Sequence, residues 1–249
     1  MRSLGLVAIL AAAVVAGAAA AQTPAPKTPA PAPYAEIAVT LPKPLTDPNF
    51  VAFRKRLAAI AEKKDRAALA RLVAAQGFFW DRSNGEAADK KSGGDGLAAA
   101  LGLGRADGSG WDMLASFAEE PTAAPDPDHA SAFCAPAGPS FDAKAFKALL
   151  KATNTDAGEW GYPLSDSVEV HSAPHANAPV TGKLALAFVH VAPQASTNVS
   201  SYLRVVTSAG KVGYVAVDSI APIGNERICY RNDNGVWKIT GYIGGGKAQ

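Results

Sequence analysis

His171 and His175 stand with three residues between them in VEVHSAPHANAPVTGKLALAFVHV, residues 168–191. Two histidines at i and i+4 can share a metal only on a helix, where that spacing puts both side chains on one face. Pro174 lies between them, Pro179 follows closely, and no glutamate is placed as a base. The segment therefore predicts strand and turn, and no metal ligands. Asp126, Asp128 and His129 bring three ligand types into four loop positions of PTAAPDPDHASAFCAPAGP. Without further partners they read as solvated loop charge. Cys134 precedes a helical pattern, with His171 and His190 downstream. A Cys/His cell-wall hydrolase needs such an order, with the thiol near a helix N-terminus. The other cysteine, Cys229, offers a disulfide instead: an even count in an oxidising compartment favours pairing. Two unpaired thiols, or a catalytic one, remain the alternatives. The Gly-rich stretch SGGDGLAAALGLGRADGSGW lacks a phosphate-loop pattern, and no cofactor is expected.

These residues sit in a chain marked for export. It opens MRSLGLVAILAAAVVAGAAAAQ, with Arg2 before an apolar run over 4–17 and small residues at Ala19 and Ala21. This predicts a signal peptide over 1–21, cleaved before Gln22. The strongly apolar run is roughly 14 residues, short of the ~20 that span a bilayer. No stable membrane anchor is expected after cleavage, and the localisation is periplasmic or secreted. Loss of Arg2 would leave 23 basic against 22 acidic residues. So balanced a charge gives no handle for nucleic acid.

The fold class expected is α+β: a mostly helical N-terminal region, a small β-barrel and a C-terminal β-hairpin. Residues 22–46, rich in Pro and Ala, predict an extended, solvated linker. A helical domain follows over 47–163. Asp47-Pro48 and Asp65 read as helix starts. Phe50, Phe53, Leu57 and Ile60, then Leu69, Leu72 and Val73, form buried stripes. Phe78-Phe79-Trp80 reads as a short strand or core plug. Short helices are expected over Leu97–Leu103 and around Trp111–Phe117. Phe141, Phe146, Leu149 and Leu150 mark a last helix ending near Thr153-Asn154, and 121–139 reads as loop. After Pro163 the period changes to alternation with β-branched residues, which predicts strands.

Residues 168–221 resemble the bacterial SH3-like (SH3b) family. Val170-His171-Ser172-Ala173-Pro174 stands where the family has its opening strand. Ala178-Pro179-Val180 with Gly182-Lys183-Leu184 matches its irregular second loop, and Phe188–Val191 the next strand. Tyr202–Val205, the turn Ser208–Lys211, and Gly213-Tyr214-Val215 with Asp218-Ser219-Ile220 complete the pattern. Both usual tryptophan positions are tyrosines here, and the loop APQASTNVSS is longer than a minimal connection. The resemblance implies a barrel over 164–223 and a binding module. Its ligand is a peptide, a peptidoglycan component or an envelope protein. Tyr202 and Tyr214 are the stacking candidates, with Arg204 as polar partner.

ERICYRNDNGVWKITGYIGGG predicts a hairpin over 224–246 turning at Asn234-Gly235, with Trp237, Ile239 and Ile243 on one buried face. That face packs on the barrel or on the helical half; a disulfide between Cys134 and Cys229 favours the latter. The ending GVWKITGYI also looks like the last strand of exported cone-shaped NTF2-like proteins, which would complete the N-terminal domain. The function expected is a non-enzymatic, exported envelope protein that binds through its SH3-like domain. The alternative is a cell-wall hydrolase or NTF2-like enzyme with an SH3-like targeting module.

Overall fold

The computed structural model describes residues 31–82, 93–192 and 201–244, within one unit that begins at Pro31. The expected signal peptide over 1–21, residues 22–30, residues 83–92, most of the loop after Ala192 and the last five residues lie outside the described residues. Residues 31–46 correct the expectation of a solvated linker. Tyr34 is half-buried, and Ile37 and Val39 are buried. Strand β1 (Val39–Thr40) pairs antiparallel with β5 (Ser140–Phe141). The prolines conceal a period-2 pattern, Ile37-x-Val39-x-Leu41, and these apolar side chains pack with Phe146, Trp160 and Phe188.

The helical half is built on capped helices. Asp47 accepts hydrogen bonds from the amides of Asn49 and Phe50 at the start of α1 (Pro48–Lys63). Asp65 accepts from Ala68 N–H at the start of α2 (Arg66–Leu72). After β2 (Phe79–Asp81) come α3 (Gly93–Leu101) and α4 (Ser109–Glu119). Phe50, Phe53, Leu57, Leu69, Leu97, Trp111 and Leu114 meet in one core, each such buried side chain contributing about 1.5–3 kcal/mol.

That core rests on a five-stranded sheet in the order β2-β14-β13-β4-β3, where β3 is Ala124–Pro125, β4 Phe133–Ala135, β13 Arg227–Asp233 and β14 Val236–Ile243. Two short strands thus lie in a segment whose composition reads as loop. The hairpin turns at Asn234-Gly235, both with positive φ, and β14 runs parallel to β2. Across the hairpin Tyr230 faces Ile239 while Cys229 faces Gly241, so Thr240 is an extra residue in β14. This bulge reverses the side-chain alternation. Trp237, Ile239 and Tyr242 enter the helical core, whereas Ile243 lands with the cysteines on the opposite face. A single face carrying Trp237, Ile239 and Ile243 is thereby corrected.

Helix α5 (Ala143–Thr153) leads into a seven-stranded sheet. Its order is β12 (Ile220–Pro222), β6 (Trp160–Pro163), β9 (Val189–Val191), β10 (Tyr202–Val206), β11 (Val212–Ala216), β7 (Val168–His171), β8 (Val180–Leu184). The fold is α+β. Among the described residues this sheet is open: β12 and β8 stand at opposite ends with no pairing that closes them. The expected small barrel gives way because β12 takes β6 as its partner, Ile220 opposite Pro163, and so extends the sheet. Val168, Val170, Val189, Val205 and Val215 form the core on its inner side. Among the described residues no helix is long and apolar enough to cross a membrane.

Candidate functional site

The inner valines fix what points the other way. With Leu203 and Val205 directed to the core, alternation sends Tyr202 and Arg204 of β10 to the outer side. Arg204 is the direct cross-strand partner of Tyr214, and Tyr214 is the partner of His171. Arg204, Tyr214 and His171 therefore form one row across three strands. Tyr202 stands diagonally beside it, opposite the small Ala216. The rings of Tyr202 and His171 meet edge to face, centroids 5.8 Å apart. All four residues are half-buried: their stems are held by the sheet and their outer edges meet solvent. His171 Nδ1 lies 2.9 Å from the Ala178 carbonyl, which can only accept, so Nδ1 carries the proton and the ring orientation is fixed. The arrangement offers two phenols, a guanidinium and an imidazole on one rigid surface. Such a surface can stack on an extended chain and hydrogen-bond its polar groups.

The other chemistry-bearing residues are placed apart. His175 lies in the tight turn 173–178, whose backbone closes through His175 N–H to Ala173 O and Ala178 N–H to His175 O. It shares no helix face with His171. Among the described residues no cluster of three potential metal ligands occurs. His129 Nε2 is 2.7 Å from Asp81 Oδ2, and its ring stacks on Phe79 with centroids 3.6 Å apart. Asp126 Oδ2 is 3.0 Å from Arg227 Nη1, within ion-pair distance though off the hydrogen-bond direction. Asp126 also accepts from Asp128 N–H. These loop residues anchor 126–132 to the edge of the five-stranded sheet. Cys134 and Cys229 form a disulfide and are buried. With its sulfur bonded, Cys134 cannot act as a thiolate nucleophile.

A second cluster escaped sequence reasoning. Tyr34 donates its hydroxyl proton to Val206 O at 2.8 Å, and the Tyr34 hydroxyl oxygen accepts from His190 N–H at 3.3 Å. Burial pushes the Tyr34 phenol up to about 12. Its ring meets Trp160 edge to face at 4.9 Å, and Trp160 lies 5.3 Å from His190. His190 Nε2 reaches Glu159 Oε2 at 3.5 Å. The Asp156 amide, and next His190, hold the Glu159 carboxyl below its usual range. Only Tyr34 carried a signal, as an aromatic closing a Pro-Ala run; the rest depends on β6 and β9 pairing, Trp160 opposite His190. No family model, curated protein or solved structure matches the chain.

Proposed function

We propose that this is an exported envelope protein, periplasmic or secreted, whose C-terminal SH3-like segment binds an extended ligand. That ligand is a peptide, a cell-wall component or a partner protein. The observation that carries the reading is the row Arg204, Tyr214 and His171 with Tyr202 at its side. Aromatic rings held by a sheet lose little entropy when they engage a chain, and Arg204 supplies the polar contact. The disulfide fits an oxidising compartment. Sedimentation with purified peptidoglycan and a peptide array test the reading together. Wild type should bind one of them, and Tyr214→Ala should weaken binding at least tenfold. Binding to neither opposes the proposal, as does binding that ignores Tyr214.

A second reading is an NTF2-like enzyme or cell-wall hydrolase targeted by the same segment. It is favoured by the Asp81–His129 pair at 2.7 Å, beside β14 in a sheet packed under helices. An enzyme of that kind would release soluble fragments from peptidoglycan and lose this in His129→Ala. A binding module would leave the polymer intact.

A further inference from the structure

Where the chain passes between the two larger sheets, it leaves a cavity of about 450 Å³, within the range of small-ligand sites. Pro136–Pro139, leaving β4, form one wall, and Pro222–Asn225, leading to β13, form another. Tyr162 contributes from β6, and Arg82, Arg227, Ile243 and Gly244 come from the ends of β2, β13 and β14. Among the described residues two guanidinium groups line this space, and no acidic side chain does. Among the described residues the nearby acids already have partners. Asp126 answers Arg227 at 3.0 Å, and Glu226 interacts with the Tyr242 phenol, helping to push it up. Among the described residues Arg82 is left over: its guanidinium lies over the Trp80 ring at 5.4 Å, and its buried Nε has no hydrogen-bond partner there. A buried donor without a partner is costly, and a guanidinium is shaped to take a carboxylate through parallel hydrogen bonds.

We infer that this cavity is a binding site for a carboxylate borne on a short apolar body, with Arg82 as the principal anchor. The prolines, Ala137 and Ile243 enclose the apolar part, while the Tyr162 hydroxyl and the Asn225 amide supply further donors. The site lies apart from the Tyr202–Tyr214 face. Because its walls come from both sheets, a bound carboxylate also braces the seam between them. Either a peptide C-terminus or a free small carboxylic acid has this chemistry.

The test is NMR titration of 15N-labelled full-length mature protein with three probes: acetyl-trialanine, its C-terminal amide, and hexanoate. The Arg82 Nε–H resonance is assigned by its loss in Arg82→Gln. The site predicts that acetyl-trialanine shifts this resonance and the amide does not. Arg82→Gln should weaken acetyl-trialanine binding at least tenfold. A shift with hexanoate as well points to free acids, and a shift with acetyl-trialanine alone points to peptide C-termini. The inference is overturned if the amide shifts the resonance as much as the acid, or if neither carboxylate shifts it. The comparison of acid with amide on wild type decides the matter even if Arg82→Gln fails to fold.

Discussion

Cys134 lies directly opposite Cys229 across β4 and β13, and their sulfurs are bonded. The bond closes a stretch of 95 residues that contains α5 and the whole seven-stranded sheet. An open chain loses more entropy on folding than one already cross-linked. Replacing both cysteines by alanine should therefore lower the free energy of unfolding by about 2–5 kcal/mol in denaturant titrations. A loss under about 1 kcal/mol would show that the bond does not constrain the unfolded chain.

Phe50 joins the first helix to the last hairpin. It is fully buried, with its ring 4.8 Å from Trp237 and 5.2 Å from Tyr230. Phe50→Ala should cost about 3–5 kcal/mol and expose Trp237, shifting its fluorescence to the red before global unfolding. Were the hairpin independent of the helices, the emission would not move.

Gly241 lets Phe79 lie flat over β14. A Cβ at this position would come within 2.3 Å of the Phe79 ring, which is itself stacked on His129. Gly241→Ala should push the ring aside, destabilise the protein by about 1–3 kcal/mol and loosen the Asp81–His129 pair. The imidazole shifts of His129 report this directly; unchanged shifts would mean that Phe79 does not hold the histidine.

Much of the helical half is written locally. The Asp47 and Asp65 caps, the Phe50–Ile60 stripe and the Asn234-Gly235 turn each need only a few neighbouring residues. Residues 34–41 were not legible because their burial depends on Phe146 and Trp160, far along the chain, while prolines give the segment a linker's composition. Thr240 reads as an ordinary strand residue, and its bulge appears only once Cys229 is set opposite Gly241. The row Arg204, Tyr214 and His171 was legible in part. Strand alternation puts Tyr202 and Arg204 on one side, but His171 joins them only through the β11–β7 register. Arg82 and Arg227 meet at one cavity through a seam that no local pattern encodes.

Tyr34 should make stability depend on alkaline pH. The fold favours its protonated form, with the phenol pushed from the ordinary 10.0 up to about 12. In that window the unfolded chain has released a proton that the folded chain retains, so stability falls as pH rises. The contribution is intact below pH about 10 and disappears as pH climbs through about 12. Tyr34→Phe also gives up the hydrogen bonds to Val206 O and from His190 N–H, costing about 1–2 kcal/mol at neutral pH. Its deficit against wild type should shrink above pH about 11. Tyr162, Tyr230 and Tyr242, also pushed up by burial, keep a residual slope in the variant. A deficit constant from neutral to alkaline pH would contradict this account of Tyr34.

The face of β10, β11 and β7 carries the functional reading, and backbone amide mapping of wild type with solubilised peptidoglycan fragments and array-selected peptides tests it most directly. The account predicts perturbations centred on Tyr202, Arg204, Tyr214 and His171, abolished in Tyr214→Ala while the Val170 and Val205 signals keep their positions. Perturbations confined to the helical half, or none with either ligand class, would contradict it.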